Sequence, residues 1–216
     1  MLSKNHSAGK SNNQRGVTLI ELLIGLAILG GLLAMAAPFA GKMITNAKIR
    51  TAAESILNGL QLARSSAVSQ NSQVRFELPN GTDSSWVVCV PPTTNPPTTC
   101  EDAAAKIIQS RTAAEGTSLV AVAPNVTWVV FNGFGTLAPT TLATLPAATS
   151  TSASTANICV GLAGVDLTSS YNSSSERRLK VVVGTGGTVR LCDPALAYPD
   201  PQACKLTPTA VDSQPC

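Results

Sequence analysis

The sequence has few charged residues, few aromatic residues and almost no histidine, and each shortage excludes a class of function. Charged residues make up 12% of the 216 residues and aromatic residues 4%. The single histidine is His6, in the N-terminal tail, so Ser–His and Cys–His nucleophile pairs are unavailable. No C-x-x-C metal motif and no complete nucleotide-binding loop occurs. We therefore expect a protein that is not an enzyme and has no cofactor and no metal site.

Cysteine is absent from the first 88 residues, and all six cysteines follow. An even number of cysteines confined to one part of a chain is typical of disulfides formed in an oxidising compartment. Cys89 and Cys100 flank a proline-rich loop of ten residues. This spacing predicts a disulfide between them.

The other four cysteines allow three pairings among themselves. We favour Cys159–Cys192, which would join two strands, and Cys204–Cys216, which would hold the C-terminal tail. Cys192–Cys204 is the main alternative.

Basic charge is in excess only at the N-terminus. The formal net charge is +3, and the first sixteen residues hold Lys4, Lys10 and Arg15 but no acidic residue. Without this tail the basic and acidic side chains balance. Basic residues before an apolar segment favour a cytoplasmic N-terminus and export of the remainder.

An apolar run follows, from Val17 to Gly41, with Glu21 as its one charged residue. As a helix its 25 residues would be roughly 37 Å long, enough to cross a membrane. Three interpretations compete: a cleaved signal peptide with a small-x-small site at Ala34–Ala36, a plain signal anchor, and a leader cut before the apolar run. A carboxylate inside an apolar segment is costly, and neither a signal peptide nor an anchor gains from Glu21.

The stretch "GVTLIEL" resembles the leader motif of type IV pilins and type II secretion pseudopilins. The resemblance implies that prepilin peptidase cuts between Gly16 and Val17 and methylates the new N-terminus. Glu21 would then be the acidic assembly residue of the family. Pro38 stands where many of these pilins also have proline, and with Gly30 and Gly31 it predicts a weak stretch of helix.

An amphipathic helix is predicted for residues 42–71. Its apolar residues recur at spacings of three and four, and they are Ile49, Ala53, Ile56, Leu60, Ala63 and Ala67. We expect this stripe to pack on a globular domain. The predicted organisation is therefore a leader at 1–16, a membrane or filament-core helix at 17–41, this helix at 42–71, and a β-rich periplasmic domain with disulfides at 72–216.

Short β-rich runs begin at Gln73 and predict eight strands. They are "QVRFEL", "SWVVCV", "KIIQS", "SLVAVA", "VTWVVF", "NICVGLA", "RLKVVVG" and "TVRLC". The segments "PPTTNPPTTC" and "APTTLATLPAATSTSASTAN" are predicted to be loops. We expect an α+β fold, with the long N-terminal helix packed on an antiparallel β-sheet.

Three segments along the chain resemble the H-type pseudopilin and FimT/FimU-type minor pilin family. They are "LQLARSSAVSQNSQVRFEL", "VVFNGFGTL" and "RRLKVVVGTGGTVRLCD". The resemblance implies an assembly protein of the inner membrane that joins other minor subunits and the major subunit. These subunits would prime or cap a type IV pilus or a type II secretion pseudopilus. The sequence does not separate these two systems.

Some FimT-type pilins bind DNA through a Gly-Arg-x-Arg element near the C-terminus, which makes DNA a second candidate partner. Here the corresponding stretch is "GGTVR", in which Arg190 matches the second arginine and Thr188 stands where the first would be. Arg177, Arg178 and Lys180 precede it, and Arg178 and Lys180 should share one face of a strand near Arg190. Such a patch could contact phosphates. The alternative is a solvated edge whose charges prevent strand pairing.

Overall fold

The computed structural model describes residues 16–92, 99–144, 155–162 and 177–204. The chain forms two compact units, Met1–Lys42 and Met43–Cys216. One long helix, α1 (Leu19–Gln70), contributes residues to both units. It includes the predicted weak stretch at Gly30, Gly31 and Pro38 without a break.

The described residues of the second unit include two four-stranded antiparallel sheets, where the sequence had predicted one. The first sheet has the order β3-β2-β1-β5 and the second β4-β6-β7-β8. The strands are β1 (Val74–Glu77), β2 (Trp86–Val90), β3 (Lys106–Arg111), β4 (Val120–Pro124), β5 (Trp128–Phe131), β6 (Ala156–Leu162), β7 (Leu179–Val183) and β8 (Val189–Cys192). Each strand overlaps one of the predicted runs, so the predicted α+β class is confirmed.

The predicted apolar stripe of α1 is the helical side of the core. Its six residues are fully buried, and they share one hydrophobic cluster with the inward faces of both sheets. Gly59 lets the helix approach the first sheet, because a Cβ there would lie 2.8 Å from Phe76. The indole N–H of Trp86 donates to Ser55 at 2.8 Å. This buried polar pair is satisfied and fixes the position of α1 on the sheet.

A short helix, α2 (Pro139–Thr144), forms at the start of the segment predicted to be a loop. Proline is favoured at the first helical position, because its fixed φ suits a helix and its missing N–H has no partner to lose there. The Thr141 hydroxyl accepts the backbone N–H of Val130 at 2.8 Å and docks α2 on β5. Residues 145–154 of the predicted loop lie outside the described residues.

The turn between β1 and β2 connects the two sheets. The backbone N–H of Val122 donates to the Thr82 carbonyl at 3.0 Å, and Asp83 forms a bridge with Ala121. Burial acts to raise the pKa of the Asp83 carboxyl. Hydrogen bonds from the Ser85 backbone, Asn80 and the Ser85 hydroxyl outweigh burial and lower this pKa below its ordinary value.

The predicted Cys89–Cys100 disulfide is present, with a Cα–Cα distance of 5.7 Å. It packs Cys100 beside Cys89 and Val87 of the first sheet. There Glu77 accepts the backbone N–H of Cys100 at 3.0 Å and pairs with Arg75 at 2.8 Å. The Arg75 guanidinium stacks over Trp128, 4.5 Å from the ring centre.

The favoured pairs Cys159–Cys192 and Cys204–Cys216 are wrong, because the structure joins Cys192 to Cys204. Cys159 and Cys192 both lie opposite Lys180, on strands at either side of β7. Two strand spacings separate their Cα atoms by about 10 Å, beyond the reach of a disulfide.

The loop after β8 explains the pairing that forms instead. The Asp193 N–H donates to the Gln202 carbonyl at 2.8 Å. This hydrogen bond joins the residues next to Cys192 and Cys204 and so brings the two cysteines close together. Cys159 is also disulfide-bonded. Cys216 is the one other cysteine outside the two pairs above, and it lies outside the described residues.

Candidate assembly site at the start of the long helix

The chain enters α1 through a threonine cap. The Thr18 hydroxyl accepts the backbone N–H of Glu21 at 3.3 Å. The Thr18 carbonyl accepts the first helical hydrogen bond, from Leu22, at 3.2 Å. Thr18 is therefore the N-cap and Glu21 the third helical residue, the positions of a capping box. The Glu21 carboxylate lies in the first turn, where the helix dipole stabilises negative charge.

Around this cap the surface of α1 is apolar and uncovered. Every side chain described from Val17 to Met35 is exposed. Twelve of them are large apolar residues, each more than half exposed, and Met35 reaches 81%. No helix in the described part of the chain meets the length and mean hydropathy expected of a membrane-spanning segment. An apolar surface of this extent marks a site of contact with another molecule.

Gly16 and Val17, the predicted cleavage pair, lie just before the helix, where the chain has no secondary structure. Both residues are exposed. Pro38, the other predicted assembly residue, lies within the range of α1, and its side chain is outside the described residues. The start of α1 thus brings the cleavage pair and Glu21 together, within six residues.

The predicted DNA-contacting cations do not form an exposed patch. Arg178 and Lys180 are 5% and 1% exposed. Arg190 is partly buried and donates to the carbonyl oxygens of Ala203, at 3.4 Å, and Cys204, at 2.8 Å. Arg190 therefore holds the end of the loop after β8 in place. The alternation expected along a strand predicted that Arg178 and Lys180 share a face, but it could not show that both residues are buried.

Arg177 is the most exposed of the four cations, and it has an acidic partner. It pairs with Asp193 at 3.0 Å, and Asp193 is held by the backbone N–H of Ala195 at 2.9 Å. Beside them is a cavity of about 120 Å³, lined in part by Arg50 and Leu191. Because Asp193 already neutralises the Arg177 guanidinium, Arg177 attracts a DNA phosphate less strongly than an unpaired arginine would.

Two family profiles match the chain. The profile described as "Prokaryotic N-terminal methylation motif" matches residues 11–37, which include the cap and Glu21. The profile described as "Type II transport protein GspH" matches residues 52–187, well over half of the chain. The chain belongs to the GspH family. GspH-family proteins are pseudopilins, which are structural subunits without catalytic activity and assemble with other pseudopilins.

The methylation motif implies processing by prepilin peptidase and anchoring in the inner membrane before assembly. The predicted family and the prediction of a non-enzymatic protein are therefore confirmed. A search of curated protein sequences gave no match.

Solved structures of minor pilins and pseudopilins are similar to this GspH-family chain. Two are crystal forms of the type IV minor pilin FimU of Pseudomonas aeruginosa. In space group P65 it has 17% identity and a TM-score of 0.44, over 72% of this chain and 99% of that one. In P21 it has 18% identity and a TM-score of 0.46, over 73% and 95%. The solution structure of E. coli GspH has 15% identity and a TM-score of 0.42, over 72% and 95%.

Two features of this GspH-family chain were missed in the sequence. The first is the cap: "TLIE" fits the S/T-x-x-E/Q signature of a capping box and could have been recognised. The second is the role of Arg190 in holding the loop after β8. That contact joins residues 13 and 14 positions apart, and no local pattern predicts it.

Proposed function

We propose that this chain is a minor subunit that primes or caps a type II secretion pseudopilus or the related type IV pilus, together with other minor subunits and the major subunit. Prepilin peptidase cuts between Gly16 and Val17 and methylates the amine of Val17. Residues 17–41 then anchor the chain in the inner membrane. The globular domain stays in the periplasm until the subunit joins the tip.

The observation that carries this proposal is the uncovered apolar surface of α1, with a single carboxylate beside its start. Fully burying one leucine or isoleucine contributes about 1.5–3 kcal/mol, and twelve large apolar residues from Val17 to Met35 are available. Lipid covers them before assembly. Helices of neighbouring subunits replace the lipid afterwards, through close packing.

Glu21 determines how a neighbouring helix is positioned in this packing. In a low-dielectric bundle of helices a carboxylate needs an opposite charge. The methylated amine of Val17 on a neighbouring subunit carries one, and it exists only after cleavage at Gly16. Processing and assembly are thereby linked, because an uncut subunit offers no such amine.

Co-isolation tests this function. A C-terminally tagged full chain is expressed in its host, and the complexes are extracted from membranes and sheared filaments. We expect other minor subunits and the major subunit to be recovered with it, and recovery to be lost in cells without prepilin peptidase. Recovery of the processed chain without any other subunit would contradict the proposal. The set of proteins recovered also tells a secretion system from a pilus.

A further inference from the structure

The outer face of the second sheet carries a row of residues that lie opposite one another on neighbouring strands. Cys159 of β6 lies opposite Lys180 of β7, and Lys180 lies opposite Cys192 of β8. Their neighbours along the strands, such as Ile158 and Val181, belong to the hydrophobic core. Because side chains alternate along a strand, Cys159, Lys180 and Cys192 point away from that core. We call these three residues the outer row.

The outer row is buried although it faces away from the core. Cys159, Lys180 and Cys192 are 5%, 1% and 2% exposed, whereas the outer face of an antiparallel sheet is commonly open to water. Cys192 is covered by Cys204, its disulfide partner. Lys180 and Cys159 lie one and two strands further from that disulfide. A further segment of the chain must therefore lie over them.

The cysteine pairing identifies this segment. Cys159 is disulfide-bonded, and no cysteine in the described part of the chain is free. The two pairs already described use four of the six cysteines. Cys216 is the one cysteine of the sequence that remains for Cys159.

We propose that residues 205–216 cross the outer face of the second sheet as a strap, held there by a disulfide between Cys159 and Cys216. One end of the strap follows directly after the disulfide at β8. The other end is fixed at β6, two strands away. Lys180 of β7 lies between the two disulfides, so the strap covers it.

Length and charge suit this path. The cysteines on β6 and β8 lie about 10 Å apart, and a chain of twelve residues spans up to ~40 Å, so the strap can bend over the face without strain. Its one acidic residue is Asp212. A buried ammonium group needs an opposite charge, and Lys180 has an interaction partner. Asp212 supplies that charge.

The strap gives a physical reason for the burial of a predicted DNA-contacting residue. A sheet face that the chain covers with its own segment is not available to DNA. The disulfide forms when the thiols of Cys159 and Cys216 lose two electrons and two protons to a disulfide oxidant, so the strap is fixed only in an oxidising compartment. This inference stands apart from the proposed function, because it concerns pairing within one chain.

Trypsin mapping without reduction tests the disulfide. The full chain is purified from membranes in detergent, its free thiols are blocked, and it is denatured and digested. Cleavage after lysine and arginine leaves each of the other two disulfides inside a single peptide. We expect the one link between different peptides to join 112–177, through Cys159, to 206–216. A link from either peptide to 191–205, a free thiol at Cys216, or a link between two copies would overturn the inference.

Amine labelling of the native chain tests the cover over Lys180. The reagent should label Lys106, which is exposed, and leave Lys180 almost unlabelled. We expect the double variant Cys159→Ser, Cys216→Ser to label Lys180 at least about tenfold faster than the wild type, because an untethered strap leaves the face part of the time. Lys106 is the internal control and should keep its rate. Unchanged labelling of Lys180 would overturn the strap as its cover.

A third variant tests the charge of the strap while the disulfides stay intact. We expect Asp212→Asn to raise the labelling of Lys180 about tenfold, because the buried ammonium group loses its partner, and Ser213→Ala to leave it unchanged. Wild-type labelling of Asp212→Asn would overturn the pairing of Lys180 with Asp212. If the double variant does not keep the Cys192–Cys204 disulfide, and so has not folded, the wild-type peptide map and Asp212→Asn decide the question.

Discussion

A Glu21→Ala variant is expected to be cut normally between Gly16 and Val17, but to enter assembled complexes at least about tenfold less often than the wild type. The carboxylate is lost while the apolar surface of α1 remains, so membrane anchoring should be unchanged. The cap is also kept, because Thr18 accepts the backbone N–H of Glu21, which alanine retains. The loss therefore reports on the Glu21 side chain and not on the Thr18 cap.

Two further variants separate charge from other effects. Glu21→Gln keeps the size of the side chain and should incorporate as poorly as alanine. Glu54→Ala removes another carboxylate of α1, which pairs with Arg50 at 2.7 Å and is partly exposed, and it should incorporate like the wild type. The measurement is the ratio of processed chain in co-isolated complexes to processed chain in the membrane. Normal incorporation of Glu21→Ala would refute the role of Glu21 in assembly.

A Gly187→Ala variant is expected to lose about 3 kcal/mol or more of stability. Gly187 has φ of +78°, a conformation that residues with a Cβ adopt only at a cost. A Cβ there would also overlap the Gly135 carbonyl, and both partners are backbone, so neither can rotate away. The turns after β5 and β7 would have to separate.

Gly186→Ala is the matched control for this loss. Gly186 is the preceding residue, nothing lies within 4 Å of its Cβ position, and its φ is not positive. The free energy of unfolding of Gly186→Ala should stay within about 0.5 kcal/mol of the wild-type value. Urea unfolding of the detergent-solubilised full chain measures both, and protease resistance in cells serves if Gly187→Ala cannot be purified. Equal stability of the two variants would contradict the packing described here.

The strands and the helix stripe could be predicted because their signals are local. β1 has the β-branched and aromatic residues typical of strands, and Ile49 to Ala67 repeat with the period of a helix. The division into two sheets has no such signal. β1 pairs with β5, and β4 with β6, and these pairings join residues far apart in sequence. These strand pairings depend on which sheet faces pack together in the hydrophobic core, and no local sequence pattern carries that information.

The errors at the candidate sites have the same origin. Alternation along the strand predicted at "RLKVVVG" placed Arg178 and Lys180 on one face, but their burial depends on what covers that face. The disulfide partner of Cys192 was decided by the return of the loop at Asp193. The N-terminal motif needed no long-range information, because the pair Gly16–Val17, the cap and Glu21 lie within six residues of one another.

The intact mass of the mature chain, with the sequence of its first residues, tests the central claim most directly. The account predicts that the chain purified from membranes begins at Val17 and carries one methyl group on its N-terminal amine. In cells without prepilin peptidase it should begin upstream of Gly16 and be unmethylated. A mature chain that begins at Ala37, after the small-x-small site, would contradict the account, because neither Glu21 nor the apolar start of α1 would remain to assemble.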